Sequence, residues 1–394
     1  MLTAPPTDDR AWLSPDDCRI DDLATVIDQT TDPADYPYAA DIVEGIPSYD
    51  CTVLRPTLAT QGGRQSVQTE LVRALSDGPG LVVFKRAYED RALVERTTVA
   101  FEEMIADQRA SGTTTGDHFA TPGANDRVWN ALQKLAVRDP DVFAAYYAND
   151  VLALVSTAWL GPAYQVTSQV NVVNPGGEAQ SPHRDYHLGF MSDEHAARYP
   201  THVHRLSPAL TLQGAVAHCD MPIETGPTMY LPHSHKYLPG YLAWRRPEFL
   251  TYFAEHLVQL PLETGDAAFF NPALVHGAGH NRTPDVRRMA NLVQVSSAFG
   301  RAMEAVDRRA MAVALFPTLV RLRAQGVSDE PLRRAVETAA EGYAFPTNLD
   351  LDQPVEGTAT ETQAALLWRA VVEGWDETAL GAELDAYESR RFTG

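Results

Sequence analysis

The texture of this chain changes at Tyr164, and that change limits the folds it can adopt. Before it, over 125–160, apolar residues recur at helical spacing. After it come short runs rich in Val, Thr and Phe, bounded by Pro, Gly and Asp. These runs are Gln165–Val173, 209–217, 228–231, Ala267–Phe270 and Arg288–Ser296. Short strands joined by long loops predict a jelly roll or related barrel rather than a parallel sheet. The expected fold class is therefore α+β, a double-stranded β-helix core (jelly roll, cupin-like) braced by helices.

The flanks divide the chain further. Residues 1–64 are rich in Pro, Asp and Thr, but Tyr36, Tyr38, Ile42, Val43, Ile46 and Tyr49 predict an extension that packs on the core. Residues 65–164 form a helical region with one strand at 81–84, behind the breaker cluster Ser76-Asp77-Gly78-Pro79-Gly80. Three helices are expected over 125–160, with Asp139-Pro140 and Asp150 as starts and Gly161-Pro162 as a stop. The barrel core spans 165–300. Residues 301–394 return to helical spacing around a Pro/Asp/Thr connector at 345–360.

At 394 residues and 44% hydrophobic content, a sizeable core can be buried. The net charge of −20 repels phosphate backbones and anionic lipid, so no nucleic-acid or membrane partner is expected. The first ten residues lack the basic-then-apolar order of a signal peptide, and Cys18, Cys51 and Cys219 show no disulfide or zinc spacing. A cytoplasmic protein is expected. Lys85, Lys134 and Lys236 are the sole lysines, so positive charge is nearly all arginine, the side chain that grips carboxylates through paired hydrogen bonds.

Two clusters carry chemistry. His183-Arg184-Asp185 follows a strand and the turn Asn174-Pro175-Gly176-Gly177, so the two-residue period points His183 and Asp185 to one side. His276 opens the glycine-bracketed turn His276-Gly277-Ala278-Gly279-His280, where the absence of side chains permits close approach to a ligand. Two imidazoles and a carboxylate form the triad that leaves three positions of an octahedral ion open for a chelating cosubstrate and O2, which suits non-haem Fe(II). Eleven residues after His276, Arg287 and Arg288 open a strand whose alternation admits one of the two inward. An inward guanidinium in an apolar barrel needs an anion. A dicarboxylate would supply one.

A lone His-x-Asp is weak, since His218-Cys219-Asp220 repeats it without the surrounding context and is read as structural. The full order is more specific. His183-Arg184-Asp185, then Thr225-Gly226-Pro227-Thr228-Met229-Tyr230-Leu231-Pro232-His233-Ser234-His235-Lys236, then His276-Gly277-Ala278-Gly279 with Asn281 and Arg287 resembles the phytanoyl-CoA dioxygenase family of Fe(II)- and 2-oxoglutarate-dependent oxygenases. The likeness spans roughly residues 160–300, with a further echo over 81–110.

The resemblance implies that His183, Asp185 and His276 ligate Fe(II) and that Arg287 binds the distal carboxylate of 2-oxoglutarate, leaving Arg288 outward. Gln169 and Thr211 are the further cosubstrate candidates, with Asn174 and Gln213 beside them on the same strands. Asn171 and His187 are assigned to the substrate pocket. O2 would then be consumed with release of succinate and CO2 and hydroxylation of an unactivated C–H in a small-molecule metabolite. Family relatives that halogenate lack the carboxylate, so Asp185 favours hydroxylation. The alternative is a non-catalytic or zinc-binding jelly-roll protein that binds a small acid. His202-x-His204 and His233-x-His235 lack the following Glu of a cupin metal site and are read as structural, and Tyr146, Tyr147 and Trp159 as core.

Overall fold

The computed structural model describes residues 11–112, 124–354 and 357–392. Eleven strands are found among them: β1 Asp41–Val43, β2 Ile46–Asp50, β3 Leu81–Lys85, β4 Asn125–Val128, β5 Gln165–Val173, β6 Thr211–Ala217, β7 Met229–Tyr230, β8 Val258–Gln259, β9 Ala267–Phe270, β10 His276–Gly277 and β11 Arg288–Ser296. Eight form one sheet in the order β1-β2-β3-β9-β6-β11-β5-β4, and three form a second, β10-β7-β8. Val83, Ala217, Ala268 and Phe270 of the large sheet pack on Tyr230 of the small one and on Leu260, Leu262 and Leu274 beside it. This is the expected α+β double-stranded β-helix, and the strand bounds at β5, β9 and β11 match the sequence pattern.

The large sheet is polar where an ordinary sheet would be apolar. On β5, Val166, Val170 and Val172 face outward into the main core with the helices, while Gln169 and Asn171 face the space between the sheets. On β11, Met289, Val293 and Val295 face the helices, and Arg288, Ala290, Leu292 and Gln294 face inward. Alternation along each strand thus sorts greasy residues to the helical layer and functional ones to the interior. The helices Ala131–Arg138, Pro140–Tyr147, Asp150–Leu160 and Arg308–Ala324 supply that layer.

The N-terminal region is more than an extension. β2 runs parallel to β3, joined to it through the helices Cys51–Leu58 and Gln61–Ser76, with Tyr49 stacked on Phe84 at 5.1 Å. The boundary expected after residue 64 therefore falls inside a strand–helix–strand crossover. Asn125–Val128, expected as helix, is instead an edge strand on β5. Its sequence Asn-Asp-Arg-Val has no strand pattern, and the free edge of β5 overrides that. Asp139 caps its helix as expected, accepting from the Val142 amide, but the next cap is Asn149 rather than Asp150, accepting from the amides of Val151 and Leu152.

Candidate metal centre and its cavity

After the turn at Asn174–Gly177 the chain runs back antiparallel to 272–278. Gln180, His183 and Asp185 donate their amides to the carbonyls of Ala278, His276 and Pro272 at 2.8, 2.8 and 3.1 Å, and the His276 amide returns a bond to His183 at 3.0 Å. Buried Asn281 fixes the base of this ribbon, donating to the carbonyls of Val173, Asn174 and Val286 at 3.1, 3.2 and 2.8 Å. The two imidazoles thus come from facing backbone segments, 4.5 Å apart between ring centres.

Each ring has one nitrogen committed. His183 Nδ1 meets the Ser181 carbonyl at 2.8 Å, and His276 Nδ1 meets the Leu274 carbonyl at 2.9 Å. A carbonyl can only accept, so both Nδ1 atoms carry the proton and the lone pair of each neutral ring sits on Nε2. Those lone pairs converge on Asp185, with His183 Nε2 at 3.7 Å from Oδ1 and His276 Nε2 at 3.6 Å from Oδ2. Two imidazole nitrogens and a carboxylate this close together would suit a shared ion. The donor set fits a divalent transition metal, and these three residues are the group of potential ligands found within 4.8 Å of one another among the described residues. Burial raises the Asp185 carboxyl, but the two imidazoles when protonated and an amide donor from Gln213 outweigh it and hold the group well below the usual carboxylate range.

The triad opens into a cavity of about 1190 Å³, its mouth included, between the two sheets. One wall is small and apolar, with Val83, Ala217, Ala268, Ala290 and Leu262, and it holds Arg288. The same large sheet turns polar towards β5 and β4, where Arg127, Gln169, Asn171 and Gln294 line the cavity together with Trp129, Met303 and Phe190, the last 54% exposed.

Here the structure corrects the arginine assignment. Arg287 points out of the barrel, bonded to Glu102 at 2.6 Å and lying 3.4 Å from Asp126, with 36% of its side chain exposed. Arg288 is the inward one, 6% exposed and lining the cavity. It has no carboxylate partner among the described residues, and burial pushes its guanidinium down to about 10. The reason is register. Arg288 sits opposite Val173 and Ala290 opposite Asn171, so even-numbered positions of β11 face in.

The remaining candidates separate. Gln169 lines the cavity and accepts from Arg127 Nη1 at 3.0 Å, but it pairs with Leu292, four residues along β11 from Arg288, about 13 Å at strand rise. Asn171 lines the cavity, and its buried Oδ1 has no hydrogen-bond partner among the described residues. Thr211 does not line it, lying buried at the start of β6, where its carbonyl accepts from Trp159 Nε1 at 2.9 Å. Two residues along, Gln213 reaches the site instead. His187 also leaves the lining, since its ring turns to Ser207 Oγ at 3.1 Å and burial lowers its pKa. His204 and His235 are bound to the carbonyls of Ala196 and Ser76, both at 3.0 Å, and line no part of the cavity.

Sequence reasoning passed over Arg184, between the two candidate ligands. It is 2% exposed, donates to the carbonyls of Ser234 and Tyr237 and lies over the Tyr241 ring at 5.2 Å. It pins the segment 234–241 against the ligand strand. Gly240 makes room for it, because a Cβ there would stand 1.9 Å from Arg184 Cζ. The glycine was the available signal, though nothing local names its partner.

No curated protein matches the chain. Among solved structures, it is similar to the non-haem α-ketoglutarate-dependent epimerase SnoN of nogalamycin biosynthesis, at 19% identity and TM-score 0.41 over 59% of this chain and 84% of that one. It is likewise similar to the non-haem α-ketoglutarate-dependent carbocyclase SnoK of the same biosynthesis, at 20% identity and TM-score 0.41 over 60% and 86%. SnoN in complex with Fe3+, α-ketoglutarate and nogalamycin RO gives 19% identity and TM-score 0.42 over 59% and 85%. The family profile of phytanoyl-CoA dioxygenase matches residues 67–289, over half the chain and all three triad residues. The chain therefore belongs to the phytanoyl-CoA dioxygenase family of Fe(II)- and 2-oxoglutarate-dependent oxygenases.

Proposed function

We propose that this protein hydroxylates an unactivated C–H of a small-molecule metabolite, with His183, Asp185 and His276 holding Fe(II) and Arg288 holding the far carboxylate of 2-oxoglutarate. One observation carries the reading: the cavity that exposes the triad also buries a guanidinium with no anionic partner among the described residues. Leaving a charge unpaired in a low-dielectric site is costly, so such a site is built to receive the opposite charge. Bound there, Fe(II) supplies the redox chemistry by which O2 oxidises 2-oxoglutarate to succinate and CO2 and inserts one oxygen atom into the substrate C–H bond.

The residues divide the work. Arg288, with the small side chains Ala217, Ala268 and Ala290 around it, suits a slender dicarboxylate. Asp185 keeps the carboxylate position of the triad filled, which favours hydroxyl over halide transfer. The substrate belongs at the polar part of the cavity, where Gln169, Asn171 and Gln294 offer hydrogen bonds and Arg127 lies 4.9 Å from the Trp129 ring. The three cysteines are free thiols, and no helix among the described residues is long and apolar enough to cross a membrane. Both facts are consistent with a cytoplasmic enzyme.

The test begins without oxygen. Fe(II) and 2-oxoglutarate added to the protein should produce a visible charge-transfer band, and admitting O2 should yield succinate. Absence of both at saturating iron sinks the oxygenase reading in favour of a non-catalytic or zinc-binding protein. Arg288→Ala should weaken 2-oxoglutarate binding about 100-fold, the scale for removing one partner of a buried charge pair, while Arg287→Ala should change it less than about threefold. The reverse ranking would return the role to Arg287.

A further inference from the structure

We propose that Gln213 is a positioning residue for the metal, its amide holding Asp185 so that one carboxylate oxygen stays free for the ion; this rests on the metal reading of the triad. The register sets Gln213 of β6 directly opposite Gln294 of β11, both turned inward and 3% and 6% exposed. Together the two amides grip two consecutive residues. Gln213 Nε2 donates to Asp185 Oδ2 at 2.5 Å, and the Tyr186 hydroxyl donates to Gln294 Oε1 at 2.5 Å.

The backbone between those grips is strained. Tyr186 has φ 61° and ψ 141°, a conformation that a bulky L-residue keeps only when its surroundings impose it. The cross-strand amide pair is such an imposition, since it takes the carboxylate on one side of the strained bond and the phenol on the other. With Oδ2 occupied by Gln213, Asp185 Oδ1 keeps its lone pairs for a metal.

The orientation of the Gln213 amide follows from chemistry. A carboxylate only accepts, so the NH2 group must face Asp185 and Oε1 must face away. That oxygen is buried and has no hydrogen-bond partner among the described residues, while Gln213 lines the cavity. One amide thus orients the candidate ligand through its donor group.

The experiment uses Co(II) under anaerobic conditions, read by its visible bands and its dissociation constant, with no turnover involved. Wild-type protein should bind one equivalent, and His183→Ala should lose it. Gln213→Met keeps the side-chain length without the donor, and Gln213→Asn keeps the amide but falls one methylene short. Each should raise the Co(II) dissociation constant about 10- to 100-fold, the usual penalty for removing a partner that orients a ligand, and should change the band pattern. The thermal midpoint of the metal-free protein reports whether each variant is folded, and if Gln213→Met is not, Gln213→Asn decides. Folded variants that bind Co(II) within about twofold of wild type with unchanged bands overturn the proposal and leave the metal reading standing. A wild-type protein that takes up no Co(II) sinks both.

Discussion

The chain contains the pattern His-x-Asp twice, and the two copies come to opposite ends. At 183–185 the backbone is extended and paired with 272–278, so both side chains project to one side and meet His276 across the ribbon. At 218–220 the strand has already ended at Ala217. His218 turns into the helical layer, where Thr98 Oγ1 and the Tyr146 hydroxyl take its two nitrogens at 2.8 and 2.9 Å. Asp220 goes to the surface, 65% exposed, and accepts from Thr264 and lies near Arg91. The spacing aligns two ligands only while strand pairing lasts through both residues.

The largest effect should come from exchanging the two histidines for alanine. His183→Ala removes a ligand and should reduce succinate formation below detection with little change in thermal midpoint. His218→Ala should leave metal binding intact but cost about 2–4 kcal/mol of stability, through a cavity and two hydroxyls left without partners. Equal loss of metal binding in both variants would break the comparison.

Next in size is the loop pinned from between the ligands. Gly240→Ala places a methyl group where the Arg184 guanidinium lies, and overpacking of this kind costs about 1–3 kcal/mol. A lowered thermal midpoint, with weakened metal binding as the ligand strand shifts, is the expected result. An unchanged midpoint would show that the loop moves freely and that Arg184 holds nothing in place.

The last effect is a pH dependence, confined to acidic solution. Burial pushes the His218 pKa down to about 3, from a usual value of 6.5. Between those values the unfolded chain takes up a proton that the folded protein refuses. Stability is therefore intact above pH 6.5 and falls as the pH drops towards 3, by up to about 1.4 kcal/mol per unit for this group. His218→Gln should flatten the decline of the metal-free thermal midpoint between pH 6.5 and 4, and a parallel curve would show that His218 does not carry it. His235, also held down to about 3 by burial, keeps part of the slope in that variant.

The site was legible in the sequence to different depths. His183, Asp185 and His276 could be read because a turn before one pair and glycines around the other are local signals. Arg287 and Arg288 could not be separated. Counting eleven residues from His276 reaches the first, yet which of two neighbours faces inward depends on how β11 registers with β5, a contact more than a hundred residues away in the chain. Gln213 shows the same limit. Its position on an inward strand was visible, but its bond to Asp185 depends on where a different segment comes to rest. Thr211, of the same parity, lies too near the strand's start to reach the cavity.

The fold divides along the same line. By itself the sequence determined the strand-rich core, the bounds of β5, β9 and β11, the flanking helices and the three residues that meet at the candidate metal centre, because period, breakers and caps act within a few residues. Only the tertiary structure decided that β1 and β2 complete the large sheet, that Asn125–Val128 becomes a strand, and that Arg288 rather than Arg287 lines the cavity. Each of those depends on pairing between distant segments. In a sheet a shift of one residue turns a side chain from one face to the other, and no local pattern records which face the partner will leave open.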